Sequence, residues 1–155
     1  REDDMHVALR PEEMRTYQNR LRALLGLPEG VSELEIHCLI ERGLPAQILM
    51  ELCEQGAILP RAQEWIVPLR TLRRRVSAGE RLTVEESDQL FRVMHVTALA
   101  ETIFGGRETA RRWLEKPQKL FDGQAPLAML ATTVGMWMVE KCLLHVAECA
   151  QKRPD

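Results

Sequence analysis

Apolar residues in this chain recur at intervals of three and four, and no stretch alternates convincingly between apolar and polar residues. Only an α-helix, at about 3.6 residues per turn, gathers residues with that spacing onto one side. The punctuation agrees. "RPEEMRTYQNRLRALLG" has Pro11 and two acids in its first turn and Gly26 as its stop. Ser32 with Glu35, and Thr83 with Glu86, have the spacing of a capping box at the start of a helix. Gly43, Gly56 and Gly105–Gly106 close further segments. The fold class expected is therefore all-α. Its 155 residues, 45% of them hydrophobic, suffice for one ordinary domain or two small ones.

Two short segments, residues 60–66 and 69–78, are separated only by Val67 and Pro68. Such a pair is the helix-turn-helix arrangement, although many helical proteins contain one. The second of the two is strongly basic. Residues 61–81 hold six arginines against Glu64 and Glu80, in a protein whose net charge is only −2. The positive charge is placed locally, so the protein as a whole is no general polyanion binder. At about 100° per residue, Leu69, Leu72 and Val76 form one apolar stripe. Arg70, Thr71 and Arg74 face away from it, with Arg75 at the edge and Arg73 beside the stripe. Arg70, Thr71, Arg74 and Arg75 are the candidate DNA-binding residues, because a guanidinium fork suits both phosphates and guanine edges. Arg73 is expected to fold back onto a carboxylate such as Glu86 or Asp88. A solvated charged helix is the alternative reading of the same residues.

A final helix is expected to run from Pro126 to about Ala150, apolar nearly all round and needing cover on more than one side, which in a small domain is expected to come partly from a dimer interface or a partner protein. The uncharged stretch Gly123–Val139 spans 17 residues, short of the roughly 20 that cross a bilayer. Neither a membrane span nor a signal peptide is expected. Met138, Cys142, His145 and Cys149 lie along one side of that helix. Cys142 and Cys149 would stand about 10.5 Å apart along its axis, too far for one zinc without strain. Packing explains them better, and no metal or cofactor is expected. Cys142 with His145 lacks an orienting group or oxyanion donors, and no nucleotide-binding or hydrolase motif occurs, so no enzyme is expected. Four cysteines without a C-x-x-C pair suit free thiols in a reducing cytoplasm.

"RTLRRRVSAGERLTVEESDQLFRV", followed by "AETIFGGRETARRWLEKPQKLFDGQAPLAMLATTVGMWMVEKCLLHVAE", resembles the Xre/MbcA/ParS-type antitoxins. The likeness rests on R-T-L-x-R-R, L-[ST]-x-x-E-S-D, W-L-x-x-P, G-x-x-P-L and T-x-x-G-x-x-x-V in order, and covers residues 68–149. More loosely, residues 32–67 look like the helical Xre-like part that precedes it. The resemblance implies an N-terminal extension (1–31), an Xre-like helix-turn-helix region (32–82) and a small helical toxin-binding and dimerisation domain (83–155). It implies a homodimer formed through that last domain, which covers the active-site entrance of a RES-domain, NAD⁺-degrading toxin encoded by the neighbouring gene. Repression of its own operon through operator DNA is implied as well. A stand-alone transcriptional regulator whose C-terminal half only dimerises is the alternative. The signature positions are Trp113, Leu114, Pro117, Gly123, Pro126, Leu127 and Gly135, most of them expected to shape the domain. For the tail, Gln151, Lys152, Arg153 and Asp155 are candidate toxin contacts, with an acidic end imitating a substrate phosphate. A frayed terminus is the competing reading.

Overall fold

A computed structural model of the protein describes Met5 and residues 8–153. The described elements are α1 (Pro11–Leu25), α2 (Glu33–Arg42), α3 (Ala46–Glu54), α4 (Pro60–Ile66), α5 (Leu69–Ser77), α6 (Val84–Phe104), α7 (Arg107–Glu115), a 3-10 turn (Lys119–Phe121), α8 (Pro126–Met129) and α9 (Thr133–Gln151). Among the described residues, the only extended pairing is one antiparallel bridge, between Pro45 and Arg81. The fold is all-α. The chain divides into two compact units, Arg22–Met94 on the one hand and Arg1–Leu21 with His95–Asp155 on the other.

In the unit Arg22–Met94 the start signals read from sequence do the work expected of them. Ser32 Oγ accepts a hydrogen bond from the Glu35 amide at 3.1 Å. Thr83 and Glu86 form a reciprocal box, Thr83 Oγ1 accepting from the Glu86 amide at 3.1 Å and Glu86 Oε1 from the Thr83 amide at 2.8 Å. The short loop before α3 is tied to the segment between α5 and α6. Leu82 donates its amide to Leu44 O at 2.8 Å, Ala46 donates to Glu80 O at 3.2 Å, and the Leu44 amide bonds Ser87 Oγ at 2.8 Å. Gly43 sits in this junction with φ +86°, and a Cβ there would lie 2.2 Å from Leu82 O, so both conformation and space demand glycine. Leu49, Leu52, Leu72 and Leu90 are fully enclosed and form the centre of this unit.

In the other unit the core is built from Leu99, Leu114, Phe121, Leu130, Val139 and Leu143. It also encloses polar groups. The Tyr17 hydroxyl lies 2.5 Å from His95 Nδ1, and Glu140 Oε2 lies 2.7 Å from His95 Nε2. With Glu140 ionised, Nε2–H donates to the carboxylate and Nδ1 is left to accept the phenolic proton. Glu101, also buried, receives Arg20 Nη1 at 3.0 Å and has Arg107 Nε at 3.5 Å.

One expectation fails. The helix foreseen from Pro126 to Ala150 is broken: α8 ends at Met129, Thr132 caps a new helix by accepting from the Gly135 amide at 2.9 Å, and α9 starts at Thr133. The last helix does keep a face that this chain leaves uncovered, in line with the expected need for cover from a second polypeptide. It is α6 that is buried on every side, at each residue from 93 to 101, whereas α9 has a buried face and an open one. Among the described residues no single helix is long and apolar enough to cross a membrane; Lys119–Met129 and Thr133–Gln151 pass that test only as a pair, bent by 111°.

Candidate functional site

The basic helix α5 is held at both ends by side chains that complete the backbone hydrogen bonding of its surroundings. In the tight connection from α4, Gln63 is buried and its Nε2 donates to Val67 O at 2.6 Å, while Glu64 Oε2 accepts from the Leu69 amide at 3.3 Å. Val67 is wholly enclosed. A two-residue turn packed in this way fixes the angle at which α5 leaves α4.

The rotation of α5 about its own axis differs from the sequence reading. Of the three residues in the expected apolar stripe only Leu72 is buried; Leu69 and Val76 are half-buried, and so are Thr71 and Arg75. The inward direction therefore points through Leu72 toward Arg75, a turn of about 50° from the stripe's centre at 100° per residue. This exchanges two arginines. Arg75, expected outside, pairs with Glu86, the same carboxylate that caps α6. Arg73, expected to find Glu86 or Asp88, is exposed instead and lines an open groove between α3 and α5 with Met50, Cys53 and Glu54. Asp88 is taken by Arg92 at 3.0 Å.

Burial alone would raise the Glu86 carboxyl, but the hydrogen bonds from Arg75 and Thr83 outweigh it and hold the group below its ordinary range. Arg75 is thus an anchor between α5 and α6. The side chains left facing solvent are Arg70, Arg73 and Arg74. Arg74 lies 3.4 Å from Glu80, but with side chains 63% and 46% exposed that contact is weak and exchangeable. Three guanidinium groups on one exposed side of a short helix form a surface for phosphates or base edges.

The second surface lies on α9. Gly135, Val139, Glu140, Leu143, Leu144 and Ala147 are buried on one face. Val134, Trp137 and Met138, on the other, are 60%, 37% and 40% exposed. The signature residues mostly set this geometry. Leu114, Pro126 and Leu127 are buried, and Pro126 opens α8. Trp113 packs on Phe104 with ring centroids 5.6 Å apart. Gly123, with φ +83°, donates to Gln118 O at 2.9 Å and closes the loop after the 3-10 turn. Pro117 is exposed just beyond α7. At Gly135 a Cβ would stand 1.8 Å from Met129 O, so α8 and α9 approach through a glycine.

Residues 99–147 match the family model of the antitoxin Xre/MbcA/ParS C-terminal toxin-binding domain. Over 140 residues the chain is 46% identical to Antitoxin Xre of Pseudomonas putida (strain KT2440), an alignment covering 90% of this chain and 88% of that protein. The chain belongs to the Xre antitoxin family. It is a regulatory component of a toxin–antitoxin system rather than an enzyme, and its partner is a toxin.

In this Xre antitoxin the tail candidates separate. Gln151 ends α9 and its Nε2 donates to Ala8 O at 2.6 Å, an internal tie. Lys152 and Arg153 are exposed, and Asp155 lies outside the described residues. Cys149 Sγ is 3.6 Å from His145 Nε2. Burial raises the Cys142 thiol, and burial followed by the Glu54 charge raises that of Cys53. Residue patterns passed over two features of the antitoxin. The break between α8 and α9 is one, and the Thr132–Gly135 capping spacing was its available signal. No pattern announces the Tyr17–His95–Glu140 chain, whose members come from three separate helices.

Proposed function

We propose that this antitoxin neutralises a RES-domain, NAD⁺-degrading toxin, the product of the neighbouring gene, by covering its active-site entrance with the domain over residues 83–155. The same molecule represses its operon by setting Arg70, Arg73 and Arg74 against operator DNA, with the half-buried Thr71 at the edge of that surface and Arg75 as the anchor that keeps α5 in place. It works as a homodimer in the cytoplasm, the four unpaired cysteines suiting a reducing compartment. Two copies of α5 one helical turn of DNA apart double the phosphates neutralised, which a single module needs for useful affinity. The observation that carries the reading is the combination in one chain of a toxin-binding domain match at residues 99–147 with an arginine face on the second helix of a tight helix pair.

The full chain is the material for the test, because residues up to Leu21 belong to the same compact unit as the C-terminal helices. Purified with the neighbouring gene product, it is expected to form a complex of defined mass and to stop NAD⁺ consumption in proportion to the amount added. NAD⁺ loss that continues at saturating antitoxin overturns the toxin assignment. Retained operator binding in that case leaves a stand-alone regulator.

A further inference from the structure

We propose that the open face of α9, from Val134 to Lys152, is the surface on which the toxin seats, and that its counterpart is an apolar depression with acidic side chains along one side. The assignment rests on the toxin-binding reading above and specifies which part of the domain does the binding. At about 100° per residue, Val134, Trp137, Met138, Lys141, His145 and Lys152 fall within one stripe of α9, opposite the buried row that includes Val139 and Leu143. The stripe changes character along its length. Its first turns are apolar and open to solvent at 60%, 37% and 40%; beyond them Lys141, His145 and Lys152 are all exposed.

The occupant follows from two observations. The apolar part lies inside residues 99–147, whose family description names a toxin as the ligand. The charged part carries Lys141 and Lys152 and, as its acid, only the half-buried Glu148, so a second copy of this chain would bring the same lysines and no matching acidic surface. A different protein with an acidic rim complements both parts. One helix face is smaller than the roughly 800 Å² per partner of a stable complex, so the stripe forms the centre of the contact and neighbouring loops its edge. Aromatic and long apolar side chains at such a centre carry most of the affinity.

The test uses full-length protein and the neighbouring toxin. Val134→Asp with Met138→Asp changes two solvent-facing positions, and Lys141→Glu reverses the adjacent charge. Leu34→Asp, at a site 70% exposed on α2, is the control. The double variant is expected to weaken toxin binding about thirtyfold or more. Lys141→Glu should weaken it less and mainly through slower association at low salt. Leu34→Asp should bind like wild type. Should the aspartate pair reduce the helical signal in circular dichroism, Val134→Ser with Met138→Gln supplies the same readout without buried charge. Wild-type antitoxin that does not bind the toxin overturns both this surface and the function proposed above. Wild-type binding matched by undiminished binding of the variants overturns the surface alone. Variants that dissociate a self-assembled species yet hold toxin normally give the face to a second copy and also overturn it.

Discussion

Gly135 shows how a single missing side chain shapes this antitoxin. The carbonyl it approaches belongs to the backbone of Met129, which cannot rotate aside as a flexible side chain would. Gly135→Ala is expected to cost about 2 kcal/mol or more, seen as a fall in Tm on the order of 5 °C for a chain of this size. A Tm unchanged within error contradicts the packing described. Glu86 offers a second residue-scale prediction. Its carboxyl titrates below the ordinary value of 4.5 in the folded protein and near it when unfolded. On acidification the unfolded chain takes up this proton first, so the contribution of Glu86 to stability is complete above pH 4.5 and is lost as pH falls through the lower folded value. Glu86→Gln should therefore flatten the decline of the urea midpoint as the pH falls below 4.5, relative to wild type. Equal slopes in the two proteins remove the Arg75–Glu86 pair from the account.

At the scale of elements, α5 separates a residue proposed to bind operator DNA from one that holds the helix in place. Arg74→Ala should lower the slope of operator affinity against salt by about one unit, the loss of one phosphate contact, with Tm unchanged. Arg75→Ala should lower Tm, because it strips Glu86 of its cation. Much of the unit around α5 was legible: the capping boxes at Ser32 and Thr83, the stop at Gly43 and the Val67–Pro68 turn are local chemistry, complete within a few residues. The rotation of α5 was not. It depends on which neighbours Leu72 and Arg75 meet, and those lie outside the window a helical wheel can see. The break after α8 was hidden for a different reason: Ala131, Thr132 and Thr133 include neither proline nor glycine, so the weak capping spacing of Thr132 and Gly135 was the one local sign, and the close approach of Gly135 to Met129 O lies beyond it. That α9 would need cover from outside the chain was legible in its apolar character; which residues it leaves open follows from the start at Thr133.

For the whole molecule, the division of labour matters most. The exposed arginines belong to the compact unit Arg22–Met94 and the toxin-domain match to residues 99–147. The enclosed Tyr17–His95–Glu140 chain and the Arg20–Glu101 pair bind residues before Leu21 to the C-terminal helices of their own unit, so the N-terminal segment is part of that unit's structure. The packing units change over after Leu21 and after Met94, and the structural role of the first segment was invisible in the sequence because its partners are distant in the chain. If the two surfaces work independently, removing one leaves the other whole. The decisive measurement is NAD⁺ loss caused by the proposed toxin, titrated with full-length antitoxin carrying Arg70→Ala and Arg74→Ala, the pair expected to remove operator binding. The expected result is inhibition ending at the same molar ratio as with wild type. A requirement for a large excess of the variant, or no inhibition at all, would contradict a toxin surface that is separate from the arginine face.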